Sequence, residues 1–168
     1  MCFKTPGLFW LFSLTCTVIC DLSDLDLQPN ESQYEKFLRQ HFVRKMNPNQ
    51  CDTMMKLRKI YGDKKMTCKV TNTFIAKTTK KNLKKVCLND GKAYNNKKNL
   101  HISNKPFSLI TCKLKGNSQN RPCSYRGSAS YGKIVIACEK NLPVHFERGI
   151  MLSDLNSTTV SNTCNPNE

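Results

Sequence analysis

Six cysteines between positions 51 and 138 constrain this chain more than any other feature. Cys51, Cys68, Cys87, Cys112, Cys123 and Cys138 show no C-x2-C or C-x4-C spacing, which argues against a zinc site. Joined in pairs they would staple distant parts of a short chain, as expected in an oxidising compartment. Six cysteines allow fifteen pairings, and spacing does not choose among them. Of the ten cysteines in the chain, Cys2, Cys16 and Cys20 lie near the start and Cys164 stands alone near the end.

The start of the chain has the form of an export signal. Lys4 precedes an apolar run over residues 8–19, about a dozen residues and too short to span a bilayer. Val18-Ile19-Cys20 before Asp21 supplies the cleavage site. Residues 1–20 therefore read as a signal peptide, 21–31 as an N-terminal extension and 32–150 as one domain. Residues 151–168 are rich in Ser, Thr, Asn and Pro and read as a disordered tail. No later stretch is apolar enough for a membrane span, so a secreted, soluble product is expected. Cleavage after Cys20 leaves Cys164 unpaired, able to link a protein that is otherwise a monomer into a dimer. Asn30-Glu31-Ser32 and Asn156-Ser157-Thr158 are glycosylation sequons.

Charge narrows the partners. The net charge is +15, and of the 27 Lys and Arg only Lys4 lies in the leader. Such a surface attracts polyanions: RNA, heparan sulfate or the acidic lipids of microbial membranes.

Three helices followed by antiparallel strands indicate an α+β domain. Ser32-Gln33-Tyr34-Glu35 is a capping box. Tyr34, Phe37, Leu38, His41 and Phe42 then follow helical spacing. Residues 50–60 predict a second helix and 79–88 a third, short and basic. Residues 107–115 and 131–139 alternate as strands, with turns marked at Asn117 and at Arg126-Gly127. Residues 143–147 form a short terminal strand that puts His145 and Glu147 on one side. A carboxylate there can fix the imidazole tautomer. His101 reads as a surface strand residue.

Three segments carry chemistry: Gln40-His41-Phe42, Cys68-Lys69-Val70-Thr71-Asn72-Thr73-Phe74, and Pro143-Val144-His145-Phe146. Two histidines and a lysine suit acid–base work on a phosphate. One imidazole takes a proton, the other gives one, and a fixed cation holds the charge that builds between them.

With these segments in this order, and with Thr111-Cys112-Lys113-Leu114-Lys115-Gly116 and Ile136-Ala137-Cys138-Glu139, the chain resembles the pancreatic-type secreted ribonucleases over residues 34–150. Within them it resembles the angiogenin-like branch. The resemblance implies three helices with a bent antiparallel sheet and the pairing Cys51–Cys112, Cys68–Cys123 and Cys87–Cys138. It implies metal-free catalysis without cofactor. His41 would be the base for the ribose 2′-hydroxyl, His145 the acid for the departing 5′-oxygen, and Lys69 the cation on the phosphorane. Gln40 and the Phe146 N–H would hold phosphate oxygens. Asn72 and Thr73 would lie against the substrate, with Thr73 reading a pyrimidine. Lys36 and Arg39, on the solvent side of the first helix, would bind flanking phosphates. Glu139 would touch the base after the cut.

Three departures from the family pattern stand out. The fourth bridge of the pancreatic enzymes is missing, so the loop over residues 92–99 must be shaped otherwise. Glu147 replaces the usual aspartate. Arg148 stands where angiogenins carry a glutamine that obstructs the pyrimidine pocket, and it could block that pocket, bind phosphate or swing away. The leading expectation is an RNA endonuclease cutting 3′ of pyrimidines, with low turnover. The alternatives are a cationic host-defence protein and an angiogenin-like signalling ligand. For the last, Lys56-Leu57-Arg58-Lys59 would serve nuclear entry and residues 89–99 cell binding, although the basic segment also reads as a solvated helix face. Ribonuclease inhibitor is a further partner that the resemblance implies.

Overall fold

The computed structural model describes residues 30–62, 64, 67–95 and 99–152. The leader, the Asn156 sequon, Cys164 and the tail beyond Leu152 lie outside the described residues. Nearly everything described belongs to one unit, which begins at Ser32.

Helix α1 spans Gln33–His41 because its start is capped twice. The Ser32 hydroxyl accepts the Glu35 N–H at 3.2 Å, and the Glu35 carboxylate accepts the Ser32 N–H at 2.9 Å. The first sequon thus shares its serine with a helix cap. Phe37 and His41, one turn apart, are buried, and the chain leaves the helix at Phe42 in extended conformation. A single 3-10 turn, Pro48–Gln50, leads into α2, Cys51–Leu57. The expected helix over residues 50–60 stops three residues early, where Lys59 adopts φ 50°. Thr79 caps α3, Lys80–Val86, which is shorter than the expected 79–88. It buries Leu83 and Val86 and turns Lys80, Lys81, Lys84 and Lys85 to solvent.

Six antiparallel strands make one sheet: β1 Thr71–Ala76, β2 Gly91–Asn95, β3 Leu100–Ser103, β4 Phe107–Leu114, β5 Tyr125–Glu139 and β6 Leu142–Met151. Their order is β1-β4-β5-β3-β2, with β6 also paired to β5. The first two were not expected as strands. His101 does lie on a strand, β3. The terminal strand runs on to Met151, past the expected residues 143–147. Lys140 and Asn141, at φ 49° and 63°, form the two-residue turn from β5 into β6, the left-handed pair that a twisted hairpin favours.

Two hydrophobic clusters form the core. In one, Phe37, Phe42, Leu83 and Val86 pack on Ile75, Leu109, Ile134 and Ile136. In the other, Val43, Met46, Met55 and Ile60 pack on Phe74, Ile110, Cys112 and Tyr125. Disulfides Cys51–Cys112, Cys68–Cys123 and Cys87–Cys138 form as the resemblance implied, bridging 61, 55 and 51 residues. Each is worth about 4 kcal/mol by chain entropy.

The Arg126-Gly127 turn is corrected. Both residues lie inside β5, which begins at Tyr125 rather than Tyr131. Gly127 is there for space: a Cβ at this position would lie 2.0 Å from the Pro48 carbonyl oxygen. The 3-10 turn can approach the sheet because this strand residue has no side chain. Gly127→Ala should therefore cost on the order of 1–3 kcal/mol as overpacking, read as a lowered Tm. An unchanged Tm would mean the 3-10 turn is free to move away.

Candidate active site

The end of α1, the approach to β1, and strands β1, β4 and β6 bring the three chemical segments to one cleft of about 560 Å³. Gln40, His41, Lys69, Asn72, Thr73, His145, Phe146 and Glu147 all line it, together with Thr111 and Arg148.

His41 is the last residue of α1 and only 7% exposed. Its Nδ1 lies 2.8 Å from the Thr73 carbonyl oxygen. A carbonyl only accepts, so Nδ1 carries the proton and Nε2 keeps its lone pair. The Phe146 ring stacks on the imidazole, centroids 5.1 Å apart at 23°. Burial pushes the His41 pKa down to about 4; the bond to Thr73 opposes this, and the charges of Lys69 and His145 add to it. The imidazole is held neutral at neutral pH.

Asn72 ties the elements together. It is 2% exposed; its Nδ2 donates to the Gln40 carbonyl at 2.9 Å and its Oδ1 accepts from Lys69 Nζ at 3.1 Å. One side chain thus sets the lysine against the end of α1. The neighbouring Cys68–Cys123 bridge fixes the segment that carries Lys69.

His145 differs from His41 in every respect. Its side chain is 64% exposed, and Nε2 is 3.5 Å from Glu147 Oε2. The longer glutamate therefore still reaches the imidazole, at an ion-pair rather than a hydrogen-bond distance.

Other expected residues divide. Lys36 and Glu139 are exposed. Arg39 is half-buried, and its guanidinium donates to the Arg58 carbonyl at 3.0 Å, so it does not stand free beside Lys36. Arg148 donates to the Tyr94 hydroxyl, with its guanidinium carbon 5.5 Å from the ring centre. The arginine still lines the cleft while it makes this bond.

Two functional contacts escaped the sequence. Thr111 Oγ1 is 3.2 Å from Thr73 Oγ1, a consequence of the β1–β4 register that sets the two threonines opposite each other. Alternation gave the face of Thr111 but not its partner. The second contact is Arg58. It is not part of a solvated basic face: its Nη1 donates to the carbonyls of Leu38, Arg39 and Phe42 at 3.3, 3.3 and 2.8 Å. A cation thus satisfies the C-terminal carbonyls of the helix that ends in His41. The motif Lys-Leu-Arg-Lys carried no sign of this.

A buried imidazole, an exposed imidazole and a lysine share one cleft on an α+β scaffold. Residues 32–147 match the pancreatic ribonuclease family. Mouse (Mus musculus) angiogenin is 41% identical over 147 residues, covering 85% of this chain and 94% of that protein. Pig (Sus scrofa) angiogenin is 38% identical over 137 residues, covering 79% and 87%. Among solved structures, zebrafish RNase5 superposes with a TM-score of 0.64 at 42% identity, covering 70% of this chain and 93% of that one. Green turtle egg white ribonuclease gives 0.63 at 40%, covering 71% and 100%. The chain belongs to the pancreatic ribonuclease family, in its angiogenin-like branch, and is a ribonuclease.

The His41 environment has a consequence for pH. Folding lowers its pKa from 6.5 to about 4, so between these values the unfolded chain binds more protons than the folded one. Stability from this group is complete above about pH 6.5 and is lost as pH falls towards 4. His41→Ala should flatten that part of the Tm–pH curve. The acid limb of kcat/KM, which reports the free enzyme, should lie well below pH 6. An acid limb at or above 6.5 would show that His41 is not the buried neutral base.

Proposed function

We propose that this ribonuclease is a secreted endonuclease that cleaves RNA 3′ of pyrimidines by metal-free transphosphorylation. The observation that carries the reading is the fixed tautomer of His41, whose free Nε2 shares a cleft with Lys69 and His145. Nε2 takes the proton of the ribose 2′-hydroxyl, and O2′ attacks the adjacent phosphorus. As the new P–O2′ bond forms, the P–O5′ bond breaks and His145 gives its proton to O5′. Lys69 neutralises the oxygens of the phosphorane, and Gln40 and the Phe146 N–H hold them. The product is a 2′,3′-cyclic phosphate. Water opens it with the two histidines in exchanged roles. DNA, without the 2′-hydroxyl, does not react. Export follows from the leader and accords with three formed disulfides.

Cleavage of defined dinucleotides in the presence of EDTA tests the mechanism. UpA and CpA should yield cyclic phosphates and ApA should not. Lys69→Ala should lower kcat by about 10²-fold or more, the scale of losing one preorganised donor to a transition state, with little change in KM. A raised KM with normal kcat would move Lys69 to ground-state binding.

Turnover should be low, and Thr111 supplies a reason. Thr73 must both give and take a hydrogen bond to read a pyrimidine edge, and its hydroxyl has one proton to give. Its contact with Thr111 competes for that hydroxyl. Thr111→Ala should raise kcat/KM on UpA and CpA several-fold while ApA stays uncut. A rate that falls instead would show that the Thr111 hydroxyl supports the pocket.

A further inference from the structure

The basic run Lys56-Leu57-Arg58-Lys59 takes no part in the cleft, and the fold reverses its polarity. Arg58 turns in to the carbonyls at the end of α1, whereas Leu57, the last residue of α2, is 72% exposed. A lone exposed leucine is ordinary. This one stands on the lip of a groove of about 980 Å³, larger than the catalytic cleft, and no residue lines both. A groove of this volume has the size of a small-molecule site. Met55 and Ile60, both buried, line it from the core side, and Tyr61, Pro122 and Tyr125 continue the apolar lining.

The charged groups of the groove are Lys56, Arg121 and Asp52. The Asp52 carboxylate accepts the Tyr125 N–H at 2.5 Å and so serves the fold. Arg121 lies against the Tyr61 ring, its guanidinium carbon 4.4 Å from the ring centre. A contact of this kind leaves the N–H edge of a guanidinium available to an anion. Neither Lys56 nor Arg121 forms an ion pair among the described residues. Apolar lining beside two unpaired cations fits a ligand that has both characters. An anionic polymer would make no use of Met55, Leu57 and Ile60, and a neutral hydrocarbon would make none of Lys56 and Arg121. We infer that this groove binds a long-chain carboxylate. Its head lies on the Arg121 guanidinium, whose fork matches a carboxylate with two parallel hydrogen bonds, and Lys56 adds charge. Its single alkyl chain runs over Met55 and Ile60 and covers Leu57.

Titration with laurate below its micelle-forming concentration tests the groove, read by calorimetry and by backbone amide resonances. Laurate should move the amides of Leu57, Ile60 and Arg121 and leave those of His41 and Thr73 in place. Butyrate, with the same head and almost no chain, should bind at least about 100-fold more weakly, since each buried methylene counts. Leu57→Ser should weaken laurate about ten-fold, the scale of one leucine covered. Arg121→Gln, similar in polarity but uncharged, should weaken it about ten-fold, the scale of one charged hydrogen bond. Both variants should cut UpA at the wild-type rate, because neither residue lines the cleft. Absence of laurate binding, or shifts confined to the cleft, overturns the inference. Equal affinity for butyrate removes the chain site, and an unchanged affinity in Arg121→Gln removes the head site; either result overturns it too. Vesicles of phosphatidylglycerol that move the same amides while laurate does not would make the groove a membrane contact and overturn the free-acid reading.

Discussion

The structure depends on one strand. β5 is fifteen residues long and pairs with β4 through its first half and with both β3 and β6 through its second. A one-residue slip in any of these ladders would turn a whole set of side chains to the wrong face. The β6 register sets His145 opposite Ala137 and leaves Phe146 to stack on His41. The β4 register passes the constraint to β1, where Thr73 meets both Thr111 and His41. Three devices hold β5 in place: the left-handed Lys140-Asn141 turn, the close approach of Pro48 at Gly127, and the Cys87–Cys138 bridge.

On this frame the two histidines sit in opposite surroundings. His41 is buried against Phe37 and Phe146, with its proton held on the far nitrogen. The His145 side chain is mostly exposed, with the Glu147 carboxylate 3.5 Å away. Burial disfavours the charged form of the His41 imidazole. Lys69 and His145 both push the His41 pKa down. In the proposed mechanism a bound phosphodiester, with its one negative charge, would offset part of those charges and ease proton uptake at His41. The empty cleft and the occupied one therefore differ in the basicity of the same nitrogen.

Much of this was legible in the sequence. The capping box, the helical face carrying His41, the i, i+2 relation of His145 and Glu147 and the alternation of β4 are local, and local patterns survive folding. The family signature at Cys68–Phe74 gave the disulfide pairing that spacing could not. What stayed hidden was non-local. Gly127 looked like a turn because glycine usually marks one, while its cause is the backbone of Pro48, distant in sequence. Thr111 looked like one more strand residue until the register gave it Thr73. Strands β1 and β2 went unread: β1 lay inside the signature, and β2 lay where a bridge of related enzymes was missing, so that region was taken for a loop.

Arg58 carries this lesson into function. Read from the sequence, it is one of four residues in a basic run, and the run invites a role for its charge outside the protein. In the fold its guanidinium faces inward and closes three carbonyls at the end of α1. All three contacts are made by the single nitrogen Nη1, whose two N–H groups are shared among three converging carbonyl oxygens. Arg39 reciprocates by donating to the carbonyl of Arg58. The two arginines lock α1 to the end of α2 despite their like charge, each held by the backbone of the other's segment. A cationic surface attracts an anionic polymer, but Arg58, within the basic run, is taken up in holding the end of the helix that carries His41.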